Sequence, residues 1–591
     1  MKSFFKIFFA SLLAFGTALF LFILLFVGGL SKGGSKISKP EANSVLNLTL
    51  KGDITDRAYN NPFRNFNAMS ALSGSIKDES TIGLFELKDA LNYAKTDDHI
   101  KGVYLNIDEI QSPPATMFVI RTALEDFKKS GKFIYAYSNA ASEKNLLLNN
   151  VADKFYMNPL GECEFDGFAV QRTYMKGLYD KLGVDFKVFY VGEFKSATEG
   201  FRRKEMSPED RIQSTAMINS ISGEYLTGLN KSTSIAVDSL KKIQDDLSVM
   251  DASEAVQYGL ADGLRYEDEV FLEIKEKLGY KKKDALKLIS YSKYKDYVKS
   301  KISATNENKI AIVYAEGEIN DSKEVDGVIG GKGFVKILQD LQKDDAVKGV
   351  VLRVNSPGGS AFASEQINHE LLKLKAKKPV VTSMGDYAAS GGYYISAATD
   401  RIIAEQNTIT GSIGIFGIIP NIRKALNEKL GITFDEVKTA AHSNYLNLTN
   451  DWDEVETAKM QQHIEKGYAI FLDRVAKGRK MDTAAVNKVA RGRVWTGQDA
   501  LKIGLVDEIG GMELALKRVK ELAKIKNADL ISYPKEKTFA ESFLSGIFDK
   551  DEDQVKMLKN LTPQLLYMKQ LEQIKALGIL QYSMPYEITV K

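Results

Sequence analysis

The chain has 591 residues, too many for one ordinary domain, and its 44% hydrophobic and 27% charged residues are the make-up of a globular protein with material for more than one core. The 80 Lys and Arg against 77 Asp and Glu leave a net charge of +3, which gives no basis for a nucleic-acid partner. One cysteine, Cys163, excludes an intrachain disulfide and a thiolate metal site; the four histidines (His99, His369, His442, His463) show no pair at ligand spacing, so neither metal nor cofactor is expected.

Residues 7–30, IFFASLLAFGTALFLFILLFVGGL, run for 24 residues without a charge, long enough to span a bilayer as a helix. A cleaved signal peptide has a shorter apolar stretch and a small-x-small cleavage site. The run therefore reads as an uncleaved anchor rather than a removed signal, with residues 1–42 as anchor and linker. Lys2 and Lys6 precede it and Lys32, Lys36 and Lys39 follow it, so the positive-inside rule leaves its orientation open. No second run of this kind follows, which places the remainder as one soluble body on one side of a membrane.

The body repeats itself. IKGVYLNI (100–107) matches VKGVVLRV (347–354), KLGVDF (181–186) matches KLGITF (429–434), and ASEAVQYGLADGL (252–264) matches GQDALKIGLVDEI (497–509), at offsets of 247, 248 and 245. LNLTLKGDIT (46–55) matches AIVYAEGEIN (311–320) at an offset of 265, which puts an insertion of roughly 18 residues in the first copy, in the Asn/Ser-rich loop 58–80. Two tandem copies of one domain are expected, 43–303 and 304–530, joined near the Lys-rich stretch 281–303 with Lys281–Lys283 on a solvated face.

Within the second copy, GVVLRV (349–354), PVVTSM (379–384) and RIIAEQ (401–406) read as short buried strands. Between them come an amphipathic helix, Ala363–Lys377, and a small-residue helix, Ser390–Ala398, an alternation that predicts an α/β fold. Residues 531–591 fall outside the repeat as a C-terminal extension. The periodic Leu and Met of 555–578 predict helices with an apolar stripe.

The chemistry gathers in the second copy. Strand GVVLRV runs into NSPGGS (355–360), a tight turn whose N–H groups carry no bulky neighbours. Further on, Ser390 stands between Ala388-Ala389 and Gly391-Gly392. Small-residue runs also occur where helices merely pack closely. Together, though, the two motifs fit an acyl-transfer site, with Ser390 as nucleophile and the N–H groups of Gly359 and Gly391 as oxyanion donors. Asp386 and Tyr387 read as turn and packing residues.

These motifs resemble the signal peptide peptidases of the SppA type, also called protease IV, in the ClpP/crotonase superfamily. The resemblance rests on NSPGG (355–359), YAASGGYY (387–394), TGSIGIFG (410–417) and GEFKSA (192–197), and covers roughly residues 43–520 and the anchor. It matches the long, duplicated form of the family.

No histidine lies near these motifs, so a lysine is the expected base. A free lysine loses its proton near pH 10.4; doing so near pH 7 takes about 4 kcal/mol, which burial can supply. At the 248-residue offset Lys195 of the first copy stands opposite Ser443 of the second, while Ser142 roughly matches Ser390 but is followed by Glu143 and Lys144 instead of Gly391 and Gly392. Each copy has lost what the other keeps. The resemblance carries the base onto Lys195 and implies that Ser412 orients its amine; Lys438 and Lys204 are weaker candidates.

It further implies polypeptide substrates, especially signal-peptide remnants, contact with membrane lipid through the anchor, a dome-shaped homotetramer, and a bacterial inner-membrane location with the body in the periplasm. GIFGII (414–419) reads either as lining for an apolar substrate groove or as a core strand. Two other functions compete with the peptidase: a crotonase-like acyl-CoA enzyme, and an inactive membrane-anchored scaffold of the same fold.

Overall fold

Ile310–Ala315, Val350–Val354 and Val380–Met384 are buried along their whole length, the mark of parallel strands covered on both faces. They belong to a computed structural model that describes residues 37–58, 81–301, 306–325, 327–535 and 581–583. The apolar run 7–30, nearly all of the inserted loop 58–80 and the helices expected over 555–578 lie outside the described residues. Among the described residues no helix is long and apolar enough to cross a membrane.

Each half is an α/β unit built on a run of six parallel strands. In the first, the strands Leu288–Ser290, Ser44–Gly52, Ile100–Ile110, Phe133–Ala141, Lys154–Cys163 and Gly263–Leu264 lie in that spatial order. In the second, Asp529–Tyr533, Lys309–Glu316, Val347–Ser356, Val380–Ala389, Arg401–Ala404 and Glu508–Ile509 repeat it strand for strand. The starts of matched strands differ by 241, 265, 247, 247, 247 and 245 residues, so the duplication seen in sequence is one of architecture. The last strand of the second sheet runs to Tyr533, past the boundary drawn at 530. Val380–Ala389 is longer than the expected strand, and the helix after it is shorter, Gly391–Ser396.

The halves interlock. Strand Asp185–Tyr190 of the first pairs antiparallel with Phe416–Asn421 of the second. In the first half, Met217 and Ile221 of helix Pro208–Thr233 pack against Ala389, Ile409 and Val494 of the second, with Tyr387 alongside. Asp56 of the first half takes two 2.9 Å hydrogen bonds from the buried guanidinium of Arg353 in the second; leaving either group unpaired there would cost about 3–5 kcal/mol.

Asp386 corrects the sequence reading. It is not a turn residue but lies inside strand Val380–Ala389, 4% exposed. Its carboxylate accepts from the Thr116 backbone N–H at 2.8 Å and the Thr116 hydroxyl at 2.6 Å. The N-terminus of helix Pro114–Lys128, where N–H groups lack helical partners, thus docks on the strand that leads to Ser390.

Candidate active site

Ser390 links the end of strand Val380–Ala389 to helix Gly391–Ser396. Its backbone sits at φ 54° and ψ −112°, a conformation that costs a non-glycine residue about 1–3 kcal/mol and persists only when its surroundings enforce it. The Ser390 N–H donates to Gly411 O at 2.9 Å, and its carbonyl accepts from Tyr394 N at 2.8 Å. The side chain is buried.

The glycines around it are dictated by close approach. A Cβ on Gly391 would lie 2.8 Å from Ser364 Oγ and 3.1 Å from Gly358 Cα, and one on Gly392 would lie 2.7 Å from Ser356 O. The two glycine turns therefore touch. Gly359 has φ +149°, and a Cβ there would fall 2.0 Å from Ile319 O, so only glycine fits.

The matching place in the first half has gone another way. Ser142 is in ordinary extended backbone, φ −82°. Glu143 is buried in the position of Gly391, where its Oε1 accepts from Gly167 N at 2.6 Å and Gln244 Nε2 at 2.9 Å. Burial pushes its carboxyl up to about 7.

Lys195 comes from the first half, on the turn after strand Asp185–Tyr190. Two glycines of the second half let its stem in: a Cβ on Gly492 would lie 2.6 Å from Lys195 N, and one on Gly414 would lie 3.2 Å from Lys195 Cδ. The residue is fully buried, and its Nζ lies 5.9 Å from the centre of the Phe416 ring. Burial drives its ammonium well below the ordinary lysine range, because a charge there gives up its hydration.

Three oxygens surround the amine: Ser390 Oγ at 2.9 Å, Ser412 Oγ at 3.0 Å and Ser412 O at 3.1 Å. Ser412 follows strand Ile409–Gly411, which pairs with Tyr387–Ala389. Ser390 and Ser412 thus stand at the ends of adjacent strands. Ser412 also takes a positive φ, 48°, and its N–H donates to Arg493 O at 2.7 Å.

Of the residues singled out from sequence, the structure brings Ser390, Lys195 and Ser412 into direct contact and sets Gly391 beside Ser390, against the turn that holds Gly359. The other lysines are elsewhere. Lys204 is exposed, and Lys438 is exposed and paired with Glu436 at 2.7 Å. Ser443 is exposed as well. Burial pushes the Cys163 thiol up to about 12, which removes it as a nucleophile. Folding does bring His442 Nδ1 within 3.3 Å of Glu456 Oε1 and 3.4 Å of Asp453 Oδ2. Both carboxylates already serve the capping box of helix Glu454–Arg479. As for GIFGII, Ile415 and Ile419 are buried in the core while the Phe416 ring approaches the amine, so the stretch is a core strand that also walls the site.

Sequence reasoning missed Gln213. Its Nε2 donates to Phe194 O at 3.0 Å and Ser196 Oγ at 2.7 Å, on both sides of Lys195. Its Oε1 accepts from Val494 N at 3.2 Å, and Val494 pairs with Gly411 beside Ser412. One amide group joins the lysine turn to the strand that carries its partner. A signal was available: Gln213, Met217, Ile221 and Tyr225 share one buried stripe of helix Pro208–Thr233, and a polar side chain in such a stripe must have a partner.

The family model for peptidase family S49 matches residues 126–281 and again 372–526, once in each half. Protease 4 of Salmonella typhi is 34% identical over 542 residues, covering 90% of this chain and 87% of that one. Protease 4 of Haemophilus influenzae is 35% identical over 515 residues, with 85% and 83% covered. The chloroplastic serine protease SPPA of Arabidopsis thaliana is 30% identical over 531 residues, with 88% and 76% covered. A solved ClpP1 mutant from Listeria monocytogenes, 16% identical, covers 35% of this chain and 94% of its own length at a TM-score of 0.24, too slight a likeness to build on. The protein belongs to peptidase family S49 and is a serine protease with the family domain present twice.

Proposed function

We propose that this serine protease is a membrane-anchored endopeptidase that works through a Ser390–Lys195 dyad and degrades polypeptides, cleaved signal peptides among them. The observation that carries the reading is the 2.9 Å contact between Lys195 Nζ and Ser390 Oγ in a fully buried setting. A neutral amine has two N–H groups and one lone pair. Ser412 O can only accept, so it takes one N–H; Ser412 Oγ takes the other. The lone pair is left facing the Ser390 hydroxyl, the arrangement a general base needs.

The steps follow. Lys195 takes the Ser390 proton as Oγ attacks the peptide carbonyl. The N–H groups of Gly359 and Gly391 hold the oxyanion, each worth about 3 kcal/mol in a site of this kind. The lysine ammonium, held by Ser412, then gives its proton to the leaving amine, and the acyl-enzyme is cleaved when Lys195 deprotonates a water. No step needs a metal or a cofactor.

The apolar run 7–30 supports a membrane anchor, and the resemblance to the SppA-type peptidases is the ground for placing it in the bacterial inner membrane with the body on the periplasmic side. The name of one relative, a "putative signal peptide peptidase SppA" from Enterococcus faecium that matches over 36% of this chain, supports signal peptides as one substrate class. Leu178, Leu182, Leu430, Ile432, Phe434 and Val437 are exposed apolar side chains in the segments next in sequence to the two strands that join the halves. A surface of this kind supports assembly with further copies, as in a homotetramer. The acyl-CoA enzyme and the inactive scaffold lose their footing with the family assignment.

The test is labelling by a serine-reactive phosphonate, read by mass spectrometry. We expect adduct on Ser390 in the wild-type chain and none in Lys195→Ala, with both folded by circular dichroism. Full labelling of Lys195→Ala would remove the lysine from the mechanism.

A further inference from the structure

Arg493 is a cation left over beside the reacting groups. Its carbonyl accepts the Ser412 N–H at 2.7 Å, and the next residue, Val494, pairs with Gly411. Its guanidinium reaches across to the lysine turn. The Cζ atom lies 4.1 Å from the centre of the Trp495 ring and 5.1 Å from that of Phe194, the residue before Lys195. Trp495 is itself fixed, its Nε1 donating to Val489 O at 2.9 Å.

Among the described residues no acid answers this charge, and the Arg493 side chain makes no hydrogen bond; its Nε is shut away from solvent without a partner. Glu193 is paired with Arg491 at 2.5 Å. Asp499, the acid whose charge Arg493 feels, accepts instead from Lys502 Nζ at 2.8 Å and Thr496 Oγ1 at 3.1 Å. Burial works against the guanidinium charge, because it removes hydration that no protein group replaces. The arginines that hold the fold together look different: Arg353 and Arg479 each grip an aspartate by two hydrogen bonds. Arg493 is held by its faces, against two rings, and the half-buried residue keeps its Nη edge free. A planar fork fixed in this way is ready to take a carboxylate by two parallel hydrogen bonds.

The mechanism says which part of a substrate passes here. Lys195 hands its proton to the leaving amine, so the C-terminal product lies on the side of the lysine turn. We propose that Arg493 binds a carboxylate on this leaving part of the substrate, above all the free C-terminus of a peptide already cut from its precursor. The proposal rests on the peptidase reading above. A released peptide carries that terminal carboxylate, whereas the same sequence inside an intact chain does not. Arg493 thus favours remnants over whole proteins.

The experiment uses the full-length chain and three internally quenched peptides of one sequence: one with a free C-terminus, one amidated, and one amidated with a Glu as its last residue. We expect kcat/KM for the free acid to exceed that for the amide by about tenfold or more, and the ratio to fall towards one in Arg493→Gln. Should Arg493→Gln not fold, the same fall is required of Arg493→Lys, which keeps the charge but loses the fork. A Glu peptide cut as fast as the free acid assigns the site to carboxylates of either source; one cut as slowly as the amide assigns it to chain ends. Equal rates for all three peptides in the wild-type chain, or an acid-to-amide ratio that survives loss of Arg493, would overturn the proposal. Absence of turnover and of Ser390 labelling would instead sink the peptidase reading. Binding of the acid and amide peptides to Ser390→Ala, followed by fluorescence anisotropy, would still judge Arg493, and equal affinities would count against it.

Discussion

Ser412→Ala is the sharpest probe of the buried amine. The Ser412 hydroxyl lies 3.0 Å from Lys195 Nζ, and the substitution removes it while leaving the backbone carbonyl at 3.1 Å. A hydrogen bond to a neutral partner is worth about 0.5–1.5 kcal/mol net, and one to a charged partner about 1.5–3. In the proposed mechanism Lys195 is neutral before the reaction and charged once it has taken the Ser390 proton. The hydroxyl thus stabilises the transition state over the ground state by about 1–1.5 kcal/mol, and its loss lowers kcat by about tenfold. The same difference holds for simple protonation. Burial has already depressed the amine, and losing an acceptor for the ammonium depresses it further, by up to about one pH unit. Activity is present above the lysine pKa and lost as pH falls through it, so the acid limb of the kcat/KM profile moves to lower pH. The assay is that profile, measured on one peptide from pH 5 to 10. A limb that moves to higher pH in Ser412→Ala, or stays in place with kcat unchanged, would refute the idea that Ser412 holds the charged amine.

Gln213→Met keeps the volume of the side chain but leaves Phe194 O and Val494 N without their amide partner. It should lower kcat by about tenfold or more, with KM within about twofold and the acid limb displaced; a KM effect alone would reduce Gln213 to a structural role. Glu143 predicts an inverted pH dependence of stability. Its carboxyl is raised to about 7 in the folded protein, so its contribution is present below the unfolded value near 4.5 and lost as pH rises through 7. Denaturant unfolding should show stability increasing by about 3 kcal/mol from this group between pH 8 and pH 4.5, and Glu143→Gln should flatten that slope. Asp386, raised to about 6 by burial, acts in the same direction. An unchanged slope in Glu143→Gln would contradict the burial argument.

What could be read from the sequence was what is decided locally. Glycine is needed where two turns touch, so NSPGG and ASGG announced a crowded site before any coordinates. Buried parallel strands are continuous apolar runs, and the repeat offset located their partners. Lys195 was legible only by comparing the two copies, because its partners lie 195 and 217 residues away. Nothing local distinguishes it from the exposed Lys204. Asp386 was misread for the same reason: Asp in a segment with glycine suggests a turn, and its actual partner, Thr116, is 270 residues distant.

The lysine turn is made of first-half residues, but its cover of Gly414, Phe416 and Gly492 is made of second-half residues. During synthesis the first half leaves the ribosome alone, with Lys195 open to water and its ammonium charged, like any surface lysine. The amine is driven towards its neutral form only when the later half closes over it, and that half also delivers the Ser390 hydroxyl. An unfinished or half-folded chain would therefore lack the proposed dyad, because its two groups meet only when both halves are in place.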